Sequence, residues 1–339
     1  LKQMITITKP GLLSSIQDLG RYGFQKYGVI TSGVMDSIAH RLANLLVGNK
    51  ENQPTIEVTL LGPVIQFHQD SLIAICGGDL SPTINQIPIR TWRTILVKKG
   101  SELKFGQARA GCRAYLTVAG GFSIPSIMES ASTYLRANIG GFHGRALQSG
   151  DQIKFDSLSI LSLKMMQQLN RQINNQPFVE MEWSISSDLI PTLQSDPLIR
   201  VIKGRQYHLF AKKSREKFFT EPFKVTTQAD RMGYRLQGPT LHLETAQEMI
   251  SEAVTFGTIQ VPAEGHPIVL LADRQTTGGY PKIGEIASVD LALMVQAKPG
   301  DDIYFTRITH EEAGLLHLER EIQIKQLKHG IFQKFRQEE

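Results

Sequence analysis

The sequence predicts a mainly β protein of two domains with a few helices. Three observations predict it. The length of 339 residues suggests about two domains, at roughly 100 to 200 residues each. Short runs rich in β-branched residues, bounded by Gly, Pro, Asn or Asp, recur along the chain, as antiparallel strands do. Regularly alternating helices are missing, which disfavours a parallel α/β sheet. A chain that is 41% hydrophobic with a net charge of +5 is not disordered. Its basic residues are scattered rather than bunched, so no nucleic-acid partner is expected.

In chain order, the expected strands are 55–60, 64–67, 72–76, 94–98, 113–119, 199–203, 268–272 and 303–306. Helices are few but marked. Met35, Ile38, Ala39, Leu42, Leu45 and Leu46 recur at helical spacing, and Gly48 supplies a left-handed stop, giving a helix over 35–47. A second spans 288–297, closed by Pro299-Gly300. The last opens on the capping box Thr309-His310-Glu311-Glu312, with Leu315, Leu318, Ile322, Leu327, Ile331 and Phe335 on roughly one side; it is suited to clamping a domain or a partner. Two phrases echo between the halves: 61–67 with 237–243, and 150–155 with 300–305, which favours a duplicated unit over a shared habit of starting strands with Gly-Pro or Gly-Asp. Residues 157–197, richer in Gln, Asn and Ser, read as a linker or crossover. The expected layout is a first β domain at 1–156, the linker at 157–197, a second β domain at 198–308 and a C-terminal amphipathic helix at 309–339.

The longest charge-free apolar stretch, Ala114 to Met128, is broken by Gly120, Gly121 and Pro125, whereas a bilayer span needs about 20 apolar residues. No membrane segment is expected. The start, Leu1-Lys2-Gln3-Met4 running into alternating Ile5-Thr6-Ile7-Thr8, has no signal-peptide core, so a cytoplasmic location is the expectation. Cys76 and Cys112, each in an apolar run, read as reduced buried thiols.

The densest polar phrase runs from Leu271 to Lys282. An apolar strand delivers Asp273, Arg274, Gln275, Thr276 and Thr277 to the adjacent glycines Gly278 and Gly279. Glycines let backbone approach a ligand and offer amide donors, Arg274 and Lys282 can neutralise an anion, and Asp273 can act as base or orienter. The alternative is a wide hairpin with solvated charges. Three other phrases share this character. Gln17-Asp18-Leu19-Gly20-Arg21 precedes the loop Thr31 to Asp36, where a helix N-terminus could receive an anion; Asp36 could equally just complement the helix dipole. Leu135 to Arg145 combines glycines with Arg136, His143 and Arg145, although a lone His143 is more often a surface residue. Asp230-Arg231-Met232-Gly233-Tyr234-Arg235 carries an acid beside arginines, for which a structural ion pair is the commoner explanation. Together they are expected to wall one polar cleft.

Absent motifs narrow the chemistry. The nine histidines show no HxH, HExxH or Cys-His spacing, so no metal site is expected. There is no Walker loop and no Gly-x-Ser-x-Gly elbow. Lys164-Met165 repeats part of a biotin-attachment tetrapeptide, but Leu163 stands where a Met belongs, and covalent biotin on this chain is rejected.

The phrases Gly11 to Arg21, Ser32-Gly33-Val34-Met35-Asp36, Arg41 to Asn49, Asp230 to Leu236 and Leu270 to Pro281 resemble the family of the 5-oxoprolinase C subunit, also called KipA-like, allophanate hydrolase subunit 2, or biotin-dependent carboxyltransferase-like. The resemblance covers the chain to about Thr306 and leaves out the terminal helix. It implies two cyclophilin-like β-barrels. It implies ATP-dependent opening of 5-oxo-L-proline to L-glutamate with an A subunit and a Kip-inhibitor-like B subunit, ATP being a co-substrate of the complex and the isolated chain inactive. Its relatives imply two alternatives: a regulatory antagonist that binds a Kip-type kinase inhibitor, and a carboxyltransferase component acting on urea or another amide with a separate biotin carrier. By position in the matched motif, Asp273 is the expected acid that orients the amide N–H, with Arg274, Gln275 and Thr276 beside it. Arg231 and Arg145 are the expected anion partners.

Overall fold

The computed structural model describes residues 4–245, 247 and 249–336. The chain divides into two compact units. The first holds 4–20, 36–191 and 322–336, and the second holds 21–35 and 192–321.

In the first unit the strands are β1 (Met4–Lys9), β2 (Leu13–Gln17), β3 (Thr55–Thr59), β4 (Val64–Phe67), β5 (Ser71–Asp79), β6 (Thr83–Ile84), β7 (Ile87–Pro88), β8 (Thr94–Val97), β9 (Glu102–Lys104), β10 (Ala110–Val118), β11 (Gln152–Lys154) and β12 (Phe178–Glu180). They form two six-stranded sheets, ordered β11-β1-β4-β9-β6-β7 and β12-β8-β5-β10-β3-β2. Period-two alternation sets which face is buried. Ile5 and Ile7 pair with Phe67 and Ile65 in one sheet, and join Ile56, Val58, Ile73 and Leu116 of the other in a single core. Helix α1 (Ser37–Leu46) packs on β5 and β10. Asp36 caps its start by accepting from the Ala39 N–H at 3.0 Å, and Gly48 leaves the helix at φ 76°, as the spacing predicts.

The segment read as a linker or crossover carries regular structure. Helix α2 (Ile160–Asn170), capped by Ser159, buries Met165 and Leu169. Strand β12 pairs with β8, Phe178 opposite Val97. The Gln- and Asn-rich composition arises because Gln167 and Asn170 lie on the solvated face of α2.

The second unit contains β13 (Leu198–Lys203), helix α3 (Lys212–Thr220), β14 (Phe223–Val225), β15 (Gly233–Gln237), β16 (Glu252–Ala253), β17 (Thr258–Gln260), β18 (Ile268–Leu270), β19 (Thr277–Gly278), β20 (Lys282–Ile286), helix α4 (Leu291–Gln296) and β21 (Asp302–Arg307). Seven strands close a barrel in the order β13-β20-β17-β18-β15-β14-β21, while β16 and β19 form a separate ribbon. The seam is the parallel pair β13–β21, Ile199 opposite Phe305. Ile199, Val201, Leu236, Ile259, Val269, Ile283 and Ile303 fill the core, and Phe218 of α3 stacks on Phe305 with centroids 4.8 Å apart. The expected helix at 288–297 begins as a single 3-10 turn over Ser288–Asp290 and continues as α4.

One of the two echoes holds at the level of local structure: Gly150-Asp151 precedes β11 and Gly300-Asp301 precedes β21. The other does not. Gln237 ends β15, and 240–243 makes no strand beyond an isolated bridge from Leu243 to Phe210.

Helix α5 (His310–Arg336) opens on the expected capping box. The Glu312 N–H donates to Thr309 Oγ1 at 3.1 Å, and the Thr309 N–H donates back to Glu312 Oε2 at 2.8 Å. Its apolar residues do not share one side. Ala313, Ile324, Ile331 and Phe335 are buried, whereas Leu315, Leu318 and Ile322 are exposed. At 100° per residue, the path from Leu315 to Ile331 turns about 160° beyond whole revolutions, which puts the two on opposite sides. The final three residues of the expected helix lie outside the described residues. Among the described residues no helix is long and apolar enough to cross a membrane.

Candidate functional site

In the second unit, β18 ends at Leu270 because its ladder partners β15 and β17 end there, and the chain turns through Ala272 and Asp273. The Asp273 N–H donates to the Arg231 carbonyl at 2.8 Å. The Asp273 carboxylate in turn accepts from Arg231 Nε at 3.0 Å and Nη2 at 3.1 Å, and Nη2 also donates to the Gly33 carbonyl. Both side chains are buried, 6% and 7% exposed. Gly33 adopts φ 91°, which favours glycine. Three of the four polar phrases, 31–36, 230–235 and 271–282, thus meet at one guanidinium. Asp230 stands beside it with a different task, its Oδ1 accepting from the Met232 and Gly233 N–H groups to shape the turn before β15.

This pairing differs from the expected division of labour. Both carboxylate oxygens of Asp273 face Arg231, and a bidentate pair at this depth matches the two charges to one another. Asp273 and Arg231 fix the loop that follows.

Downstream, Arg274 donates to the carbonyls of Leu271 at 3.2 Å and Val254 at 3.4 Å. Burial lowers its pKa from the ordinary arginine value, with Tyr22 and Glu285 acting in the opposite sense. Thr276 is half-buried, its carbonyl accepting from the Val254 N–H, while Gln275 and Thr277 are exposed. Gly278 packs directly on Gln260: a Cβ there would lie 2.1 Å from Gln260 Nε2. Gly279 and Tyr280 then wall a cavity of about 520 Å³ whose apolar side is Phe210, Leu241 and Val261. Lys282 is buried, with Nζ 3.3 Å from Glu252 Oε2, an oxygen that also accepts from Gln206 Nε2 at 3.2 Å. The hydrogen bonds from Gln206 and Lys282 hold the Glu252 carboxyl below its usual range. Lys282 therefore already has an anionic partner in the chain. Arg21 is buried, and its N–H donates to the Thr31 carbonyl.

The remaining expected residues lie in the first unit. Gln17 is fully buried and donates to Ser15 Oγ and the Thr133 carbonyl. Asp18 is a hub for the following loop, accepting from the hydroxyls of Ser130 and Ser132 and the N–H groups of Gly20 and Ala131. Asp36 is the α1 cap. Arg145 binds Asp151 through both terminal nitrogens, at 2.8 and 2.7 Å, and that contact raises its pKa. Arg136 and His143 are exposed, the His143 ring lying edge-on to Phe142 with centroids 4.4 Å apart.

Glu252, Gln206 and Gln260 complete the second-unit site and carry no sequence signal, since no motif singles them out. A second polar group does carry one. Thr55 and Glu57 of β3 and Tyr115 and Thr117 of β10 alternate with core residues, and they are buried under α1 with His40 and Asn44. Tyr115 Oη donates to Glu57 Oε2 at 2.9 Å and accepts from the Asp36 N–H at 2.8 Å. His40 Nδ1 lies 3.0 Å from Thr55 Oγ1; burial lowers its pKa to about 4, against the raising influence of Asp18, the Glu51 backbone and Glu57. Among the described residues no cluster of three or more His, Cys, Asp or Glu is placed to hold a metal ion.

Residues 27–307 match the family described as carboxyltransferase domain, subdomain A and B. The chain belongs to this carboxyltransferase-domain family. The matched span includes Arg231, the whole 271–282 loop and Glu252, and leaves out α5. Among relatives of the family, the 5-oxoprolinase C subunit of Haemophilus influenzae is 37% identical over 98% of this chain and 100% of its own length. The corresponding 5-oxoprolinase C subunit of Escherichia coli is 35% identical over 91% of this chain and 93% of its own. The solved urea amidolyase of K. lactis superposes with a TM-score of 0.86 at 31% identity, covering 96% of this chain but 20% of that one. This chain thus matches one part of that larger protein and nearly the whole length of the two bacterial relatives.

Proposed function

We propose that the chain is the C subunit of an ATP-dependent 5-oxoprolinase, which opens 5-oxo-L-proline to L-glutamate together with an A subunit and a Kip-inhibitor-like B subunit. The observation that carries this reading is the 37% identity running the entire length of a protein named as the C subunit of 5-oxoprolinase. The loop chemistry supports it. A lactam is a flat amide whose carbonyl oxygen gains negative charge as the ring opens, and guanidinium and loop-amide donors fixed beforehand stabilise such charge. In this reading the buried Arg231–Asp273 pair holds the loop, Arg274 supplies positive potential, and Gln275, Thr276 and the Gly278-Gly279 amides orient the substrate. ATP is a co-substrate of the assembly.

The similarity to urea amidolyase favours a second reading, a carboxyltransferase component served by a separate biotin carrier. Reconstitution separates the two. Mixing the chain with its A and B partners should release glutamate only when ATP and 5-oxoproline are both present. Absence of release from a correctly assembled complex would overturn the oxoprolinase reading, and amide carboxylation that requires a biotinylated carrier would establish the other.

A further inference from the structure

A cavity of about 400 Å³ in the first unit lies apart from every residue assigned above. It is walled by the β5–β6 turn, the β7–β8 connection and the segment before β10, and three of its lining side chains are arginines: Arg90, Arg93 and Arg109. Their pairing within the chain is incomplete. Arg90 is satisfied, its Nε and backbone N–H both donating to the Glu180 carboxylate. Arg93 gives Nη1 to the carbonyls of Met181 at 3.2 Å and Glu182 at 3.5 Å, and its buried Nε has no acceptor among the described residues. The Arg109 N–H donates to the Asp79 carbonyl, and its exposed guanidinium makes no ion pair with a described residue. Asp79 is the one carboxylate in the lining, and its Oδ1 accepts from the Ser81 N–H at 2.8 Å.

Positive charge is therefore in excess at the wall. Burial lowers the Arg93 pKa, and the neighbouring Arg90 lowers it further, against Glu180. Two residues on or beside this wall have strained backbones. Ser81 and Trp92 adopt φ 49° and 60°, a region that costs non-glycine residues free energy and persists where the surroundings enforce it. Trp92 is nearly buried and its N–H is tied to the Ile75 carbonyl at 2.8 Å, so the strained residue fixes Thr91 and Arg93 on either side of it. Gathering like charges around a concave site of ligand size is unfavourable unless an anion joins them.

We infer that this cavity is a binding site for the oxyanion group of a small molecule, a phosphate or a carboxylate, clamped by Arg93 and Arg109. Planar guanidinium forks match both groups. Isothermal titration of the full chain with inorganic phosphate and, separately, with succinate distinguishes the two sources. Saturable binding of at least one is expected. Arg109→Gln should weaken it at least about tenfold, as loss of a charged hydrogen bond does. Arg93→Lys, which keeps the charge but lacks the fork, should weaken it several-fold, with circular dichroism showing the fold retained. Failure of both anions to bind saturably would overturn the site, as would affinities unaltered in both variants. The outcome does not depend on the oxoprolinase reading, because neither arginine belongs to the 271–282 loop.

Discussion

At the scale of single residues, Asp273 and Arg231 matter through one another. Asp273→Asn leaves a buried guanidinium without its counter-charge, and such losses cost about 3–5 kcal/mol; urea unfolding should register that drop. The double variant Arg231→Met with Asp273→Leu should recover much of it, since a well-packed apolar pair can replace a buried ion pair. Gln275 is exposed, so Gln275→Ala should leave stability within about 0.5 kcal/mol and lower turnover of the assembled enzyme by about 10²-fold. Unchanged turnover would remove Gln275 from the chemistry. His40 makes a prediction about pH. Its folded pKa of about 4 lies below its ordinary value of 6.5, so between those values the unfolded chain binds the extra proton. Stability is complete above about pH 6.5 and declines as the pH falls through this window, by on the order of 3 kcal/mol at its foot. Unfolding free energies at pH 7 and pH 4.5 should differ more in the wild type than in His40→Gln.

At the scale of elements, the cap of α1 is the most exposed to test. Asp36→Ala removes the acceptor for the Ala39 N–H and should cost about 1 kcal/mol or somewhat more, whereas Asp36→Asn keeps an oxygen there and should cost less; thermal melts compare them. Elements of this kind are the legible part of the chain. The period-two runs at 55–60, 64–67 and 199–203 and the Asp36-to-Gly48 helix declare themselves through alternation and stop signals, which are local. What escapes is decided by distant partners. Helix α2 reads as a linker because half its surface meets water. Lys282 reads as a free cation because nothing near it in sequence announces Glu252. Asp273 and Arg231 both stand out, but a one-dimensional reading cannot tell that the acid and the base satisfy each other. In α5 the fault is angular, since a long apolar series at mixed spacing does not stay on one meridian.

At the scale of the whole molecule, both cysteines are reduced thiols, buried and confined to the first unit, and burial pushes the Cys76 thiol well above its ordinary value. A thiol reagent should react with neither in the native protein, and the slow labelling that follows should report opening of the first unit. Prompt labelling would contradict the buried placement. The barrel in the second unit carries no cysteine, so it is invisible to that reporter. Its seam has a consequence in time. Strand β13 acquires its neighbour β21 only when a segment roughly a hundred residues further along has been made. At biosynthetic rates that gap lasts about 5–20 s, during which the nascent β13 presents an unsatisfied edge of the kind that recruits other chains. Translation of this stretch is a race between closure and clumping, decided by how soon Asp302–Arg307 emerges.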